Sequence, residues 1–155
     1  MTSTFPGVLA LDHTAIAVRS FESVLPFYRD LLGGEQIYVR ESPGQGFRFL
    51  LLRYPNGAQV ELLEPLGETG FLHDFLAKRG EGPHHLTFVV ADLKEAVAAA
   101  RAAGYRVVGE SYANPRWQEA FVSPRDLHGT LVQLAQKGDA EPEPAPSDIC
   151  SAITR

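Results

Sequence analysis

Four side chains able to hold a cation stand at fixed intervals in this chain. His13 and His85 are 72 residues apart, and each is followed 48 residues later by an oxygen donor, Glu61 after His13 and Gln133 after His85. Two imidazoles, a carboxylate and an amide oxygen make a mixed nitrogen and oxygen set suited to Mn, Fe, Co, Ni or Zn, with positions left for water or substrate. With only Glu61 charged, a divalent ion in this set keeps a net positive charge, which favours an anionic ligand.

The elements that must position these residues repeat at the same offset. "HGTLVQL" (128–134) lies over "NGAQVEL" (56–62), with Gly129 on Gly57, Val132 on Val60 and Leu134 on Leu62. "HHLTFVV" (84–90) lies over "DHTAIAV" (12–18), and Phe121 falls on Phe49. Each half reads as a strand, a helix and three further strands. The expected fold is α+β, with two tandem βαβββ modules forming a curved mixed sheet around a metal site. One domain spans 9–136, its modules at about 9–65 and 83–136 joined by a short helix at 70–80. His13 shares a strand face with Ala15 and Ala17, and these small residues predict room for a ligand over that face.

Within the first module, a β-branched strand at 10–18 precedes Phe21, Val24, Leu25, Tyr28, Leu31 and Leu32, which recur at helical spacing up to Gly33 and Gly34. Ser23 as N-cap would put Pro26 in the first turn, where a missing N–H costs little. The runs "EQIYVRE", "GFRFLLLRY" and "AQVELLE" then read as strands between "SPGQG" and "PNG" turns. The second module follows with Asp92 capping a helix to about Ala103, Gly104 ending it, and strands near 105–109, 118–123 and 129–135. In the linker, Phe71, Leu72, Phe75 and Leu76 form one apolar helix face. From Lys137 to Arg155 the chain is rich in Pro, Ala and Glu, which predicts a mobile polar tail.

Composition narrows the partners. With 14 Lys+Arg against 19 Asp+Glu, for a net charge of −5, nothing in the sequence builds a basic face for nucleic acid. No apolar run approaches the roughly 20 residues of a membrane span, and the first residues lack the basic start of a secretory signal, so a cytoplasmic location is expected. Cys150 alone supports no disulfide framework, Cys-based zinc site or redox pair.

Residues 9–136 resemble the vicinal oxygen chelate (glyoxalase/bleomycin resistance) superfamily. Within it, "VELLEPLG", "FLAKRGEGPHHLTFVV" and "FVSPRDLHGTLVQL" are similar to the metal strand, the linker with its second histidine, and the closing strand of methylmalonyl-CoA epimerases. The resemblance implies metal ligands at His13, Glu61, His85 and Gln133, and it implies a homodimer acting on a small molecule such as a CoA thioester. It also implies glutamates at position 133 and in the turn occupied by Gln45, where they would move a proton α to a thioester carbonyl. Both positions carry amides here, which accept and donate hydrogen bonds but transfer no proton. Glu119, Glu41 and His128 are the alternative bases, and Trp117, Arg116 and Lys78 the candidate substrate contacts, with Arg79 beside Lys78 at the linker helix end. The expected function is a metal-dependent isomerase or lyase that stabilises an enolate or oxyanion of a small acyl or acyl-CoA substrate. The alternatives are a non-catalytic antibiotic-binding protein and a 2-His-1-carboxylate Fe(II) dioxygenase.

Overall fold

The computed structural model describes residues 5–138, so the expected tail beyond Gly138, with Cys150, lies outside the described residues. They form two compact units, residues 14–84 and residues 5–13 with 85–138. The chain passes between them within strand β1 (Val8–Ala17) and again within strand β5 (Gly82–Val90).

In the first unit, β1 leads to helix α1 (Phe21–Leu25), then β2 (Glu35–Ser42), β3 (Phe47–Arg53), β4 (Gln59–Pro65) and helix α2 (Phe71–Arg79). β2 pairs antiparallel with β3, β3 antiparallel with β4, and β4 parallel with β1, with Ala15 opposite Glu61. Strand alternation sends Leu50, Leu52 and Leu62 to one face, where they pack with Val18, Phe21 and Leu25. Leu63, Ala15 and Ala17 line the opposite face against Leu72 and Leu76 of α2. The expected opening beside Ala15 and Ala17 is therefore filled. Both alanines are fully buried, and their small side chains let α2 approach the sheet.

The start of α1 differs from the sequence reading. The N-cap position is Ser20, and no side chain of its own caps the helix; the Phe21 amide instead donates to Glu64 Oε2 at 2.7 Å, a bond from a distant strand. Ser23 lies inside the helix and donates to the Ser20 carbonyl at 2.8 Å. Pro26 falls at the fifth residue after Phe21, not in a fresh first turn. The chain accommodates it by widening into a π-helical segment, Pro26–Leu31, closed by the Leu32 amide on the Phe27 carbonyl at 2.9 Å.

The second unit contains β5, helix α3 (Leu93–Ala102), β6 (Val107–Ser111), β7 (Trp117–Val122) and β8 (Leu131–Lys137). β8 pairs parallel with β5 and antiparallel with β7, which pairs antiparallel with β6. Asp92 caps α3 as expected, its Oδ1 accepting from the Glu95 amide at 2.9 Å. Val90, Val107, Ala120, Val122 and Leu134 pack with Leu93, Ala96, Val97 and Ala100 of α3. The alternate residues on β5, β7 and β8 face the other way, among them His85, Thr87, Glu119, Phe121 and Gln133. Each unit is thus one βαβββ module with a mixed parallel and antiparallel ladder, as the repeat predicts.

The offset of 72 holds for the parallel pairs and fails for one antiparallel strand. Thr87 lies opposite Gln133 just as Ala15 lies opposite Glu61. Leu51, however, pairs with Glu61 across ten residues, whereas Phe121 pairs with Gln133 across twelve. The β7–β8 turn is two residues longer than its counterpart, so Phe121 is not the structural equivalent of Phe49. Phe49 lies opposite Leu63, and the residue in the corresponding place, opposite Ala135, is Glu119. The longer turn also moves β8 later than expected, so Gly129 and Thr130 stay in the turn and Lys137 closes the strand.

Candidate functional site

Polar residues buried on the strand face away from α3 define the candidate site of the second unit. His13, on the part of β1 that belongs to this unit, is 4% exposed, His85 8%, Thr87 0% and Gln133 5%. Burial of this many polar side chains on one face costs stability unless they are paired or hold a ligand. The imidazole rings of His13 and His85 lie edge to face with centroids 5.7 Å apart.

Three of these side chains, His13, Thr87 and Gln133, close a ring of contacts with Glu119 and Trp117. His13 Nε2 lies 3.0 Å from Thr87 Oγ1, which donates to Gln133 Oε1 at 2.6 Å. Gln133 Nε2 donates to Glu119 Oε2 at 2.5 Å, and the same oxygen accepts from Trp117 Nε1 at 2.9 Å. The Trp117 ring stacks on His13 with centroids 6.3 Å apart and planes 27° from parallel. Outside the ring, His13 Nδ1 donates to Asp12 Oδ2 at 2.8 Å, and Lys137 Nζ donates to Asp12 Oδ1 at 2.5 Å. Burial alone would raise the Asp12 pKa, but the hydrogen bonds and positive charge from His13 and Lys137 outweigh it, and the carboxyl sits below its ordinary range.

Donor counting shows why this set suits a cation. Asp12 takes the Nδ1 proton of His13 and Glu119 takes an Nε2 proton of Gln133, which turns the His13 Nε2 lone pair and the Gln133 Oε1 lone pairs toward the Thr87 hydroxyl. That hydroxyl has one proton and cannot donate to both. A second proton on His13, or a cation that takes both lone pairs, fits this arrangement. An imidazole held through its other nitrogen by a carboxylate is also the arrangement found behind metal-bound histidines. The residues therefore fit a divalent ion.

Glu61 is the buried carboxylate of the first unit, 8% exposed on β4 and opposite Ala15, which stands two residues along β1 from His13. The other sequence candidates are placed as follows. Gln45 is exposed in a turn, Pro43–Gln45, where its Oε1 accepts from Ser42 Oγ at 3.3 Å. Glu41 is exposed on β2, opposite Arg48. His128 is an exposed turn residue with φ 55°, and its repeat partner Asn56 has φ 65°. This left-handed backbone, followed in each case by a glycine, accounts for the "NG" and "HG" starts of the two matching segments. Trp117 is half-buried in the ring, and Arg116 is exposed, its amide donating to Asn114 Oδ1 at 3.0 Å. Lys78 and Arg79 are exposed in the last turn of α2, where positive charge complements the helix dipole.

Three residues of the network carried no signal in the spacing. Thr87 stands where the first module has Ala15, and Asp12 stands where the second has His84, so the repeat marks neither. Asp12 could have been found from its place next to His13, since a carboxylate beside a ligand histidine is a recurring orienting pair. Lys137 stands at the start of the Pro, Ala and Glu-rich run, so composition reads it as tail.

Comparison with known proteins agrees with this layout. The family model of the Glyoxalase/Bleomycin resistance protein/Dioxygenase superfamily matches residues 12–121. An ethylmalonyl-CoA/methylmalonyl-CoA epimerase from Cereibacter sphaeroides is 35% identical over 133 residues, covering 81% of this chain and 96% of that protein. The crystal structure of methylmalonyl-CoA epimerase from Mycobacterium tuberculosis superposes with a TM-score of 0.78 at 32% identity, covering 85% of this chain and 90% of that one. A Streptomyces coelicolor methylmalonyl-CoA epimerase variant in complex with 2-nitronate-propionyl-CoA gives a TM-score of 0.76 at 30% identity, covering 86% and 100%.

Proposed function

We propose, since the chain belongs to the Glyoxalase/Bleomycin resistance protein/Dioxygenase superfamily, that it is a metal-dependent isomerase or lyase acting on a small acyl-CoA thioester, with His13, Glu61, His85 and Gln133 as the metal ligands. The observation that carries this reading is the buried donor set itself, in which His13 and Gln133, 4% and 5% exposed, meet at the Thr87 hydroxyl. Glu61 and His85, each 8% exposed, add a carboxylate and a second imidazole at the places the repeat requires. A bound divalent ion supplies Lewis acidity, which lowers the cost of negative charge on the carbonyl oxygen of a thioester as its α-proton leaves.

The chain's own residues support that chemistry unevenly. Asp12 holds His13 through Nδ1 and leaves Nε2 as the ligand atom. Trp117 covers one face of the His13 ring. Amides at 45 and 133 transfer no proton, so α-proton exchange is slower than in a site with glutamates at both places. The names of the relatives point to methylmalonyl-CoA as the substrate to try first.

The test is exchange of the α-proton of methylmalonyl-CoA in deuterated buffer, with the protein loaded in turn with Co, Ni, Mn, Zn and ferrous ion. Deuterium incorporation above the buffer rate, abolished by chelation, supports the proposal. Exchange no faster than buffer with every metal rejects it.

A further inference from the structure

We propose that Glu119 is the positioning residue that makes Gln133 an oxygen donor, so that the Gln133–Glu119 pair does the work of one metal-ligating carboxylate. The inference rests on the proposed metal site and concerns its fourth corner.

An amide has two ends of nearly equal shape, and only the oxygen end can bind a cation. A glutamate has no such ambiguity, because either oxygen will serve. At position 133 the choice is made by Glu119, an acceptor that takes only the NH2 end, at 2.5 Å. The Gln133 oxygen is thereby turned to Thr87 Oγ1, 2.6 Å away, on the same hydroxyl that meets His13 Nε2. Glu119 is itself fixed by Trp117 Nε1 at 2.9 Å. The charged partner also polarises the amide, placing more negative charge on Oε1 than an isolated glutamine carries.

The repeat provides an internal control. In the first module the residue corresponding to Gln133 is Glu61, which needs no orienting partner. The residue corresponding to Glu119 in strand register is Phe49, an apolar side chain with no acceptor. The module with a carboxylate has a phenylalanine in that place, and the module with an amide has a carboxylate.

The experiment measures Co(II) binding to the full-length protein by visible absorption and competition with a chelator, for the wild type, Glu119→Gln, Gln133→Glu and the double variant Glu119→Gln/Gln133→Glu. Glu119→Gln is expected to weaken cobalt binding about 10- to 100-fold, the usual effect of losing an orienting partner, and to shift the d–d bands. The double variant is expected to recover the lost affinity with the spectrum of a carboxylate donor, because a carboxylate at position 133 presents an oxygen whichever way it turns. Metal-free denaturation of each variant separates binding from folding. As a measurement independent of any variant at 119, the Gln133 side-chain NH2 resonances, identified by their loss in Gln133→Glu, should stay protected from exchange when zinc is added while the side-chain carbonyl shifts. Wild-type affinity and spectrum in folded Glu119→Gln, or a zinc-independent Gln133 carbonyl, overturns the inference and leaves the metal site standing. A wild-type protein that binds none of Co, Ni, Mn or Zn removes the metal site and the inference together.

Discussion

Replacing Gln133 by glutamate puts a second carboxylate against Glu119, at a place where the amide nitrogen now sits 2.5 Å from Glu119 Oε2. Two ionised carboxylates cannot keep that contact. Even drawn apart to roughly 4 Å, at an effective dielectric of about 20, they repel by about 4 kcal/mol. One of them is therefore driven to hold a proton in the folded protein, the neighbouring carboxylate charge favouring the neutral form. The unfolded chain releases that proton first as pH rises. The variant's deficit is therefore smallest at the acid end and grows as pH rises through and above the ordinary carboxylate range, toward about 4 kcal/mol. The assay is urea denaturation of metal-free wild type and Gln133→Glu from pH 4.5 to 8, with Glu119→Gln/Gln133→Glu as control. The control restores a donor and acceptor pair and should show no added pH dependence. A saturating divalent ion should also remove the deficit, because it neutralises the new carboxylate. A stability difference that does not change with pH refutes the reasoning, since the Gln133 to Glu119 contact would then not exist in solution.

Three further outcomes follow from neighbouring contacts. Thr87→Val keeps the volume of a fully buried side chain but removes the hydroxyl between His13 Nε2 and Gln133 Oε1; metal-free denaturation should show a loss of about 1–3 kcal/mol, smaller when the protein is saturated with metal. Asp12→Asn removes the carboxylate behind His13 and should weaken cobalt binding about 10- to 100-fold, read as a smaller thermal shift on adding cobalt. His84 is packed against Phe75 at 4.7 Å and Phe71 at 5.6 Å, and burial, with the Arg79 charge second, lowers its pKa to about 4. The unfolded chain therefore takes up that proton first as pH falls from about 6.5 toward 4. His84→Phe should flatten the acid side of the stability profile by up to about 3 kcal/mol, measured by denaturation at pH 7 and pH 4.5.

How much of this was legible in the sequence depends on whether the information was local or carried by strand register. The His13, Glu61, His85 and Gln133 spacing survived because both members of each 48-residue pair lie on adjacent parallel strands whose register is the same in the two modules. Asp92 was legible because an N-cap depends only on residues within one turn. Ser23 was misread because the start of α1 is satisfied by Glu64, 43 residues away from Phe21, which no local pattern reveals. Ala15 and Ala17 were misread for a related reason: small residues on a strand mark a close approach, and sequence does not say whether a ligand or the helix of the linker makes it. Thr87 was invisible because the repeat compares like with like, and its counterpart is Ala15.

The role of Glu119 shows most clearly what register adds. Matching the two halves residue for residue puts Phe121 on Phe49 and leaves Glu119 without meaning, because the aromatic match conceals two extra residues in the β7–β8 turn. Correcting the register moves Glu119 onto the place of Phe49, opposite Ala135 and so two positions along the partner strand from Gln133. The departure at position 133 then ceases to stand alone. An amide in the place of a carboxylate lacks its charge and its indifference to orientation; Glu119, on the next strand, brings a charge and fixes the orientation. It does not supply what a carboxylate in that corner gives to proton transfer, because its Oε2 is already taken by Gln133 and Trp117. The variants at 119 and 133 are therefore expected to separate the proposed metal binding from the proposed proton transfer, which a single glutamate would join.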